Sequence, residues 1–297
     1  MHAAALRYLR EVARCGSVRR AAQTLNVASS AVNRQILKLE TELGVRLFDR
    51  LPSGMRLTPA GEILLRHVHQ TLQGYERSLA DIDGLRGIRS GHVRISTLDS
   101  LLFDVLPEVL ERCATSYPAI SFAVTSAAPS EIVRQVQSAE ADLGLTFAAP
   151  FGPALRSIAD AAAPVGAIMA AAHPLADRKL LSFDDLLPYP ALIQRDTLPA
   201  PAFANDEYAA FRAAAQVRFS SNDIDFIKRM LRVGLGVGFY TQFAFRREIA
   251  AGELAWVPLA SPRMTEQRIV LIVPTQRTLS PACNLVVGMI AERLEQP

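Results

Sequence analysis

Ser17-Val-Arg-Arg-Ala21-Ala22-Gln-Thr-Leu25-Asn26-Val27-Ala28-Ser29-Ser30-Ala31-Val32-Asn33-Arg34-Gln35-Ile36-Leu37-Lys38-Leu39 is the stretch on which the fold turns. Its apolar residues recur at three- and four-residue spacing, first as Val18, Ala21, Ala22 and Leu25, then as Val32, Ile36, Leu39 and Leu43. Ser17 is placed to cap the first helix, and Asn26-Val27-Ala28 is a tight turn into a second that opens at Ser29. The small Ala21-Ala22 pair allows the two to cross closely, which makes a helix-turn-helix. Upstream, Leu6, Leu9, Val12 and Ala13 give residues 2–14 an amphipathic helix that Gly16 ends. Downstream of Gly44, two short apolar pieces flank Pro52-Ser53-Gly54, a hairpin signal that predicts a wing.

Thr58-Pro59 starts another helix, with Thr as cap and Pro in the first turn. Leu64, Val68, Leu72, Tyr75, Leu79 and Ile82 then recur every three or four residues. Such a stripe must be buried, either against a second copy of the chain as a dimerisation seam or against the chain's own body. Gly84, Gly87 and Gly91, with Ser90, mark a hinge. Beyond it strands and helices alternate. Strands are expected at His92–Thr97, Ile120–Thr125 and Ala141–Phe147, and a second series near Val165–Ala171, Ala191–Gln194, Val217–Phe219 and Val237–Tyr240. A last strand, Arg268–Val273, and a helix after Thr278 are expected to return to the first group. The alternation predicts parallel-rich sheets covered on both faces.

At 297 residues the chain is long enough for two or three domains, and 50% hydrophobic with 21% charged residues suits packed cores. No apolar run approaches the roughly 20 residues of a membrane span, and no charged leader precedes an apolar stretch, so the expected location is the cytoplasm, with no membrane partner. Cys15, Cys113 and Cys283 are too few and too far apart for a disulfide framework or a metal knuckle. His67 and His69 do not share a helix face. Gly234-Leu-Gly236-Val-Gly238 is followed by Phe239 where a dinucleotide fingerprint needs its third glycine. P-loop, zincin and nucleophile-elbow patterns are missing, and Asp184-Asp185 reads as a helix N-terminus. The expectation is a chain with no catalytic residue, no metal and no cofactor.

Charge is distributed unevenly. Residues 1–60 carry ten Lys and Arg against four Asp and Glu, a net +6, while the remaining 237 carry 22 against 25, a net −3. A basic head on a mildly acidic body suits one end to a polyanion, the bland alternative being a solvated charged face.

Residues 1–61, with Ala21-Ala22, Leu25-Asn26-Val27, Val32-Asn33-Arg34-Gln35-Ile36, Leu39-Glu40, Leu43-Gly44-Val45-Arg46-Leu47-Phe48-Asp49-Arg50 and Leu57-Thr58-Pro59-Ala60-Gly61, resemble the winged helix-turn-helix of LysR-type transcriptional regulators. The body resembles the family's effector-binding region on Leu106-Pro107, Tyr117-Pro118, Ala141-Asp142-Leu143-Gly144, His173-Pro174-Leu175 and Gly234-Leu-Gly236-Val-Gly238. The resemblance implies an α/β chain in three parts. Residues 1–58 would be the winged DNA-binding domain and 59–89 a linker helix holding a dimer through Leu64, Val68, Leu72, Tyr75 and Leu79. Residues 90–297 would form a periplasmic-binding-protein-like effector region, with subdomain I at about 90–162 and 268–297 and subdomain II at about 163–267. The implied partners are double-stranded DNA with an interrupted palindrome, a small-molecule effector, further copies in a homodimer or tetramer, and RNA polymerase.

On this reading Ser29, Ser30, Asn33 and Arg34 face the major groove opposite the core stripe, with Asn33 suited to adenine and Arg34 to guanine or phosphate. Lys38 is placed for backbone phosphate, and Arg50 and Arg56 on the wing for the minor groove or phosphate. Arg50 has an alternative use, bracing the wing through Glu40 or Asp49. The family usually has Ser or Thr at Ala28 and Ser at Asn33, so a different base preference is expected. Strand ends and helix starts supply the effector candidates Thr97, Ser100, Ser126, Ser130, Gln194, Asn222 and Thr241. Ser100-Leu101-Leu102-Phe103 resembles members that sense small carboxylates, although Pro129 stands near where those often have Thr. Two other readings stay open: a ligand-independent regulator whose body only oligomerises, and an α/β enzyme.

Overall fold

The computed structural model describes residues 3–52, 54–85, 90–194 and 206–295. Two compact units result, Met1–Ile82 and Asp83–Pro297.

In the first unit, α1 (Ala3–Cys15), α2 (Val18–Thr24) and α3 (Ser29–Leu43) precede the strands β1 (Phe48–Leu51) and β2 (Gly54–Leu57), and α4 (Pro59–Leu85) follows. Gly16 ends α1 in the left-handed region at φ 59°. The Ser17 side chain caps α2 by accepting the Arg20 N–H at 3.4 Å. Ala21 and Ala22 are buried at the crossing with α3, whose Val32, Ile36 and Leu39 complete the core with Leu9 and Val12. β1 and β2 pair antiparallel, from Phe48 opposite Leu57 to Leu51 opposite Gly54. Of the predicted turn, Ser53 lies outside the described residues. Thr58 caps α4 as expected, its Oγ1 accepting the Gly61 N–H at 3.1 Å. Gly61 is required by space: a Cβ there would lie 2.1 Å from the carbonyl oxygen of Leu47.

The stripe on α4 divides. Val68 and Leu72 are buried and Leu64 partly buried, all packed in the core of their own unit. Tyr75, Leu79 and Ile82 remain exposed. The physical reason is that α4 starts beside the wing, so its first turns cover the three-helix core, and its later turns run beyond that core. The expected hinge lies partly elsewhere: Gly84 is within α4, Gly87 lies outside the described residues, and Gly91 opens the next strand.

The second unit has two lobes. The first contains β3 (Gly91–Thr97), α5 (Val105–Ser116), β4 (Ile120–Ser126), α6 (Pro129–Gln137), β5 (Leu143–Phe147) and β6 (Leu155–Ala162). The second contains β7 (Val165–Ala170), α7 (Phe183–Leu186), β8 (Ala191–Gln194), α8 (Asp206–Ala214), β9 (Val217–Ser221), α9 (Ile224–Arg232), β10 (Gly238–Thr241), α10 (Arg246–Ala250), β11 (Leu254–Pro258) and α11 (Pro262–Thr265). The chain then returns through β12 (Arg268–Pro274) and α12 (Pro281–Glu295) to the first lobe, where β12 sits between β5 and β6. The crossing segments touch where the Ala163 N–H donates to the Gln267 carbonyl at 2.8 Å.

The sheets are mixed rather than parallel-rich. β3 is parallel to β4 and β5, but β12 is antiparallel to both its neighbours, and β7 is antiparallel to β10 and β11. Among the described strands of the second lobe, β8 and β9 form the one parallel pair. The strands β6 and β11, absent from the sequence reading, account for much of this, because β6 joins β7 without a crossover helix. Gly236 lets this lobe close: at φ 157°, a Cβ would meet the Pro190 carbonyl oxygen at 2.2 Å, a backbone-to-backbone approach that rules out a side chain.

The lobes exchange aromatic rings. Phe243, on a short turn of the second lobe, is buried in the core of the first, and the Arg246 guanidinium lies 4.8 Å over its ring. Phe103 packs against the second lobe's cluster around Ile227 and Phe245, with Lys228 Nζ 4.0 Å above its ring. Two ion pairs accompany the exchange, Arg246 with Asp104 and Lys228 with Glu248, each at 3.0 Å.

Candidate DNA-binding face and effector cleft

Helical spacing puts Val32, Ile36 and Leu39 of α3 in the core and leaves Ser29, Ser30, Arg34 and Lys38 exposed on the opposite side. Ala28 stands at the N-cap with no side-chain hydrogen bond, so the first N–H groups of α3 remain available to an anion. Asn33 is half-buried, and its Oδ1 accepts a hydrogen bond from Arg50 Nη2 at 3.1 Å. Arg50 therefore joins the wing to α3, through Asn33 rather than through Glu40 or Asp49. Arg56, on β2, is exposed, and Lys38 makes a long 3.8 Å pair with Glu42 at the surface. Arg34 and Arg56 have no acidic partner among the described residues.

Glu40, expected from the sequence only as a candidate partner of Arg50, braces the wing through the wing's backbone instead. Its Oε1 accepts the backbone N–H groups of Leu47 at 2.8 Å and Phe48 at 3.2 Å, tying the root of the wing to the back of α3. The position of the wing arginines depends on this contact. The signal was present as the Leu39-Glu40 pair beside a core stripe, but an acid on a basic, DNA-facing helix reads as a surface charge until its acceptors' partners are seen.

In the second unit, the cleft between the lobes is walled by Asp99 and Ser100 from the first lobe and Gln194, Tyr240 and Thr241 from the second. Leu98, Phe147, Val165 and Phe239 supply apolar wall. The cavity is about 30 Å³, room for one or two water molecules, so a larger ligand has to part the lobes. Of the seven effector candidates, Ser100, Gln194 and Thr241 come together here. Thr97 is fully buried beside the wall, its Oγ1 donating to the Leu98 carbonyl at 3.1 Å. Ser126 and Ser130 are exposed at the end of β4 and the start of α6, and Asn222 is exposed before α9, whose cap is Asp223. None of these four lies on the cavity wall.

Asp99 is the residue that the candidates omitted. It opens a turn directly after β3, with Oδ1 accepting the Ser100 N–H at 2.7 Å and Oδ2 accepting from Gln194 Nε2 across the cleft. Burial pushes its carboxyl above the usual carboxylate range, against the opposing pull of these two donors. Tyr240 is held well above the ordinary phenol range by burial and by the nearby Asp99, so its hydroxyl keeps its proton. Among the described residues, three or more His, Cys, Asp and Glu side chains nowhere gather as metal ligands, and no helix is long and apolar enough to cross a membrane. Cys113 and Cys283 are buried, Cys283 with its thiol pushed up to about 12.

Known family models match both units of the chain. Residues 3–62 match the bacterial regulatory helix-turn-helix proteins of the lysR family, and residues 86–295 match the LysR substrate binding domain. The chain is 28% identical over 285 residues to the transcriptional dual regulator GltC of Bacillus subtilis, covering 94% of this chain and 93% of the relative. It is 29% identical over 251 residues to the HTH-type transcriptional regulator CysB of Haemophilus influenzae, covering 80% and 75%. Among solved structures, full-length CbnR complexed with its target DNA superposes with a TM-score of 0.63 at 20% identity, covering 99% of this chain and all of that one.

Proposed function

This chain belongs to the LysR family of transcriptional regulators, with a helix-turn-helix DNA-binding domain and an effector-binding domain, and from that premise we propose how its own residues divide the work. Paired copies of α3 read an interrupted palindrome in double-stranded DNA, with Arg34 and Asn33 on base edges and Ser29, Ser30 and Lys38 on or near the backbone. Arg50 and Arg56 follow the adjacent groove or its phosphates. In the free chain Arg50 holds Asn33, so DNA binding exchanges that hydrogen bond for contacts of both side chains with DNA. A small molecule in the cleft shifts the assembly between two states by binding one of them better. Copies associate through the exposed end of α4, and the DNA-bound assembly meets RNA polymerase. The protein carries out no catalytic step, like the regulators it resembles, and works in the cytoplasm where the DNA is.

The observation that carries this reading is the opposition on α3 of a buried stripe and a polar, cationic face to which Arg50 of the wing is joined through Asn33. Fluorescence anisotropy of the full chain with duplex DNA from beside its own gene tests it. Affinity should fall steeply with salt, as phosphate neutralisation requires. Arg34→Ala should weaken specific binding about tenfold or more, the equivalent of about 1–3 kcal/mol for a base contact, without lowering thermal stability. Unchanged affinity for the specific duplex would remove Arg34 from the reading face.

A further inference from the structure

Among the described residues the Asp99 carboxyl has no cationic partner. Its two oxygens are met by a backbone N–H and a neutral amide, and among the described residues the cavity wall has no Lys, Arg or His. A carboxylate withdrawn from water is costly unless a positive partner and further hydrogen bonds compensate it. The opposite wall repeats the deficit. Tyr240 and Thr241 are only 6% and 4% exposed, yet Tyr240 Oη and Thr241 Oγ1 have no hydrogen-bond partner among the described residues. A buried hydroxyl left unpaired is uncommon, and here two belong to residues that line the same cavity as Asp99. A protonated amine offers three N–H donors, a positive charge and no acceptor. A carboxylate ligand would instead set like charges against each other across a cavity of about 30 Å³.

Resting on the reading of this cleft as the effector site, we propose that the effector is a small primary amine, whose ammonium is received by Asp99 and by the hydroxyls of Tyr240 and Thr241. This replaces the carboxylate suggested by Ser100-Leu101-Leu102-Phe103. The Asp99–Gln194 hydrogen bond spans the two lobes. The ammonium takes the place of the Gln194 amide on Oδ2, so the contact that joins the two lobes is the one the ligand competes for.

The test is thermal unfolding of the full-length protein with three matched series at equal ionic strength: butylammonium and benzylammonium, butyrate and benzoate, butyramide and benzamide. The amines should raise the melting temperature with concentration and the acids should not. Asp99→Asn should require about tenfold to one hundredfold more amine for the same shift, the worth of a charge-assisted hydrogen bond. Should Asp99→Asn fail to fold, Tyr240→Phe keeps the ring and removes the hydroxyl, and should weaken the amine response several-fold. A shift by acids or amides that Thr241→Val or Tyr240→Phe abolishes would keep the cleft as the effector site and overturn the amine. An amine shift that survives both Asp99→Asn and Tyr240→Phe would place amine binding elsewhere and overturn the proposal. Silence from all three series would overturn it as well.

Discussion

Replacing Glu40 isolates the contact on which the wing's position depends. One oxygen of this carboxylate accepts from Leu47 N–H at 2.8 Å and from Phe48 N–H at 3.2 Å, and both residues are nearly fully buried, at 1% and 3% exposure. Glu40→Ala leaves both donors without that acceptor. An orphaned buried donor costs about 1–3 kcal/mol, so the short bond is worth about 2 and the long one about 1, a loss of about 3 kcal/mol. For a unit of this size about 1 kcal/mol moves the melting temperature by about 4–8 °C, which places the loss at about 12–24 °C. Glu40→Gln keeps an acceptor oxygen and removes only the charge, so about 1 kcal/mol and about 4–8 °C are expected. Scanning calorimetry of the full chain reads these shifts, with the transition of the first unit identified as the one that duplex DNA raises. Glu40→Gln should also weaken DNA binding, through a looser wing, more than its stability loss explains. A Glu40→Ala protein melting within 2 °C of the parent would refute the reasoning, because two buried N–H groups would then have found other partners at no cost.

Gly61→Ala pushes a methyl group to within 2.1 Å of the Leu47 carbonyl oxygen and 2.8 Å of the Leu57 side chain, so the root of the wing must move away from α4. About 1–3 kcal/mol of stability should be lost by denaturant titration, and an equally stable variant would show that the wing root yields freely. Tyr75→Asp with Leu79→Asp alters side chains that are 59% and 45% exposed, so the melting temperature should hold while light scattering shows a smaller assembly. A variant that keeps the parent mass would exclude the end of α4 as the seam, and Val68→Asp, by contrast, should unfold the first unit by burying a charge.

The head was legible because each of its elements satisfies its own local rule. Ser17 and Thr58 cap, Gly16 and Gly44 end helices at positive φ, and the α3 stripe is buried where its period says. The stripe on α4 was less so, since a period of three and four fixes which face is buried and not what covers it; Leu64, Val68 and Leu72 found their own core. In the body, β6 was missed because Leu155–Ala162 carries Asp160 and three alanines and pairs along only one side, with β12. The cleft was half legible. Ser100, Gln194 and Thr241 follow from the rule that ligands meet strand ends, whereas Ser126, Ser130 and Asn222 obey the same rule and still point to solvent. Only tertiary packing decides which strand ends converge. Asp99 was overlooked because attention to neutral hydrogen-bonding side chains, prompted by an anionic ligand, passed over the acid next to Ser100.

The exchange of Phe103 and Phe243 bears on how this regulator can be rebuilt. Since each lobe finishes the other's core with a ring, the lobes are not interchangeable parts. A graft that imports the second lobe from a relative, to retune a biosensor, would press a foreign turn into the host's core and leave the host's Phe103 on an unfamiliar bed. The Arg246–Asp104 pair and the Lys228 ammonium over Phe103, which cross between the lobes, would lose their register with it. Successful transplants should therefore move both lobes together, or carry the segments around Phe103 and Phe243 as a matched set, leaving the splice to fall in the connection before β3.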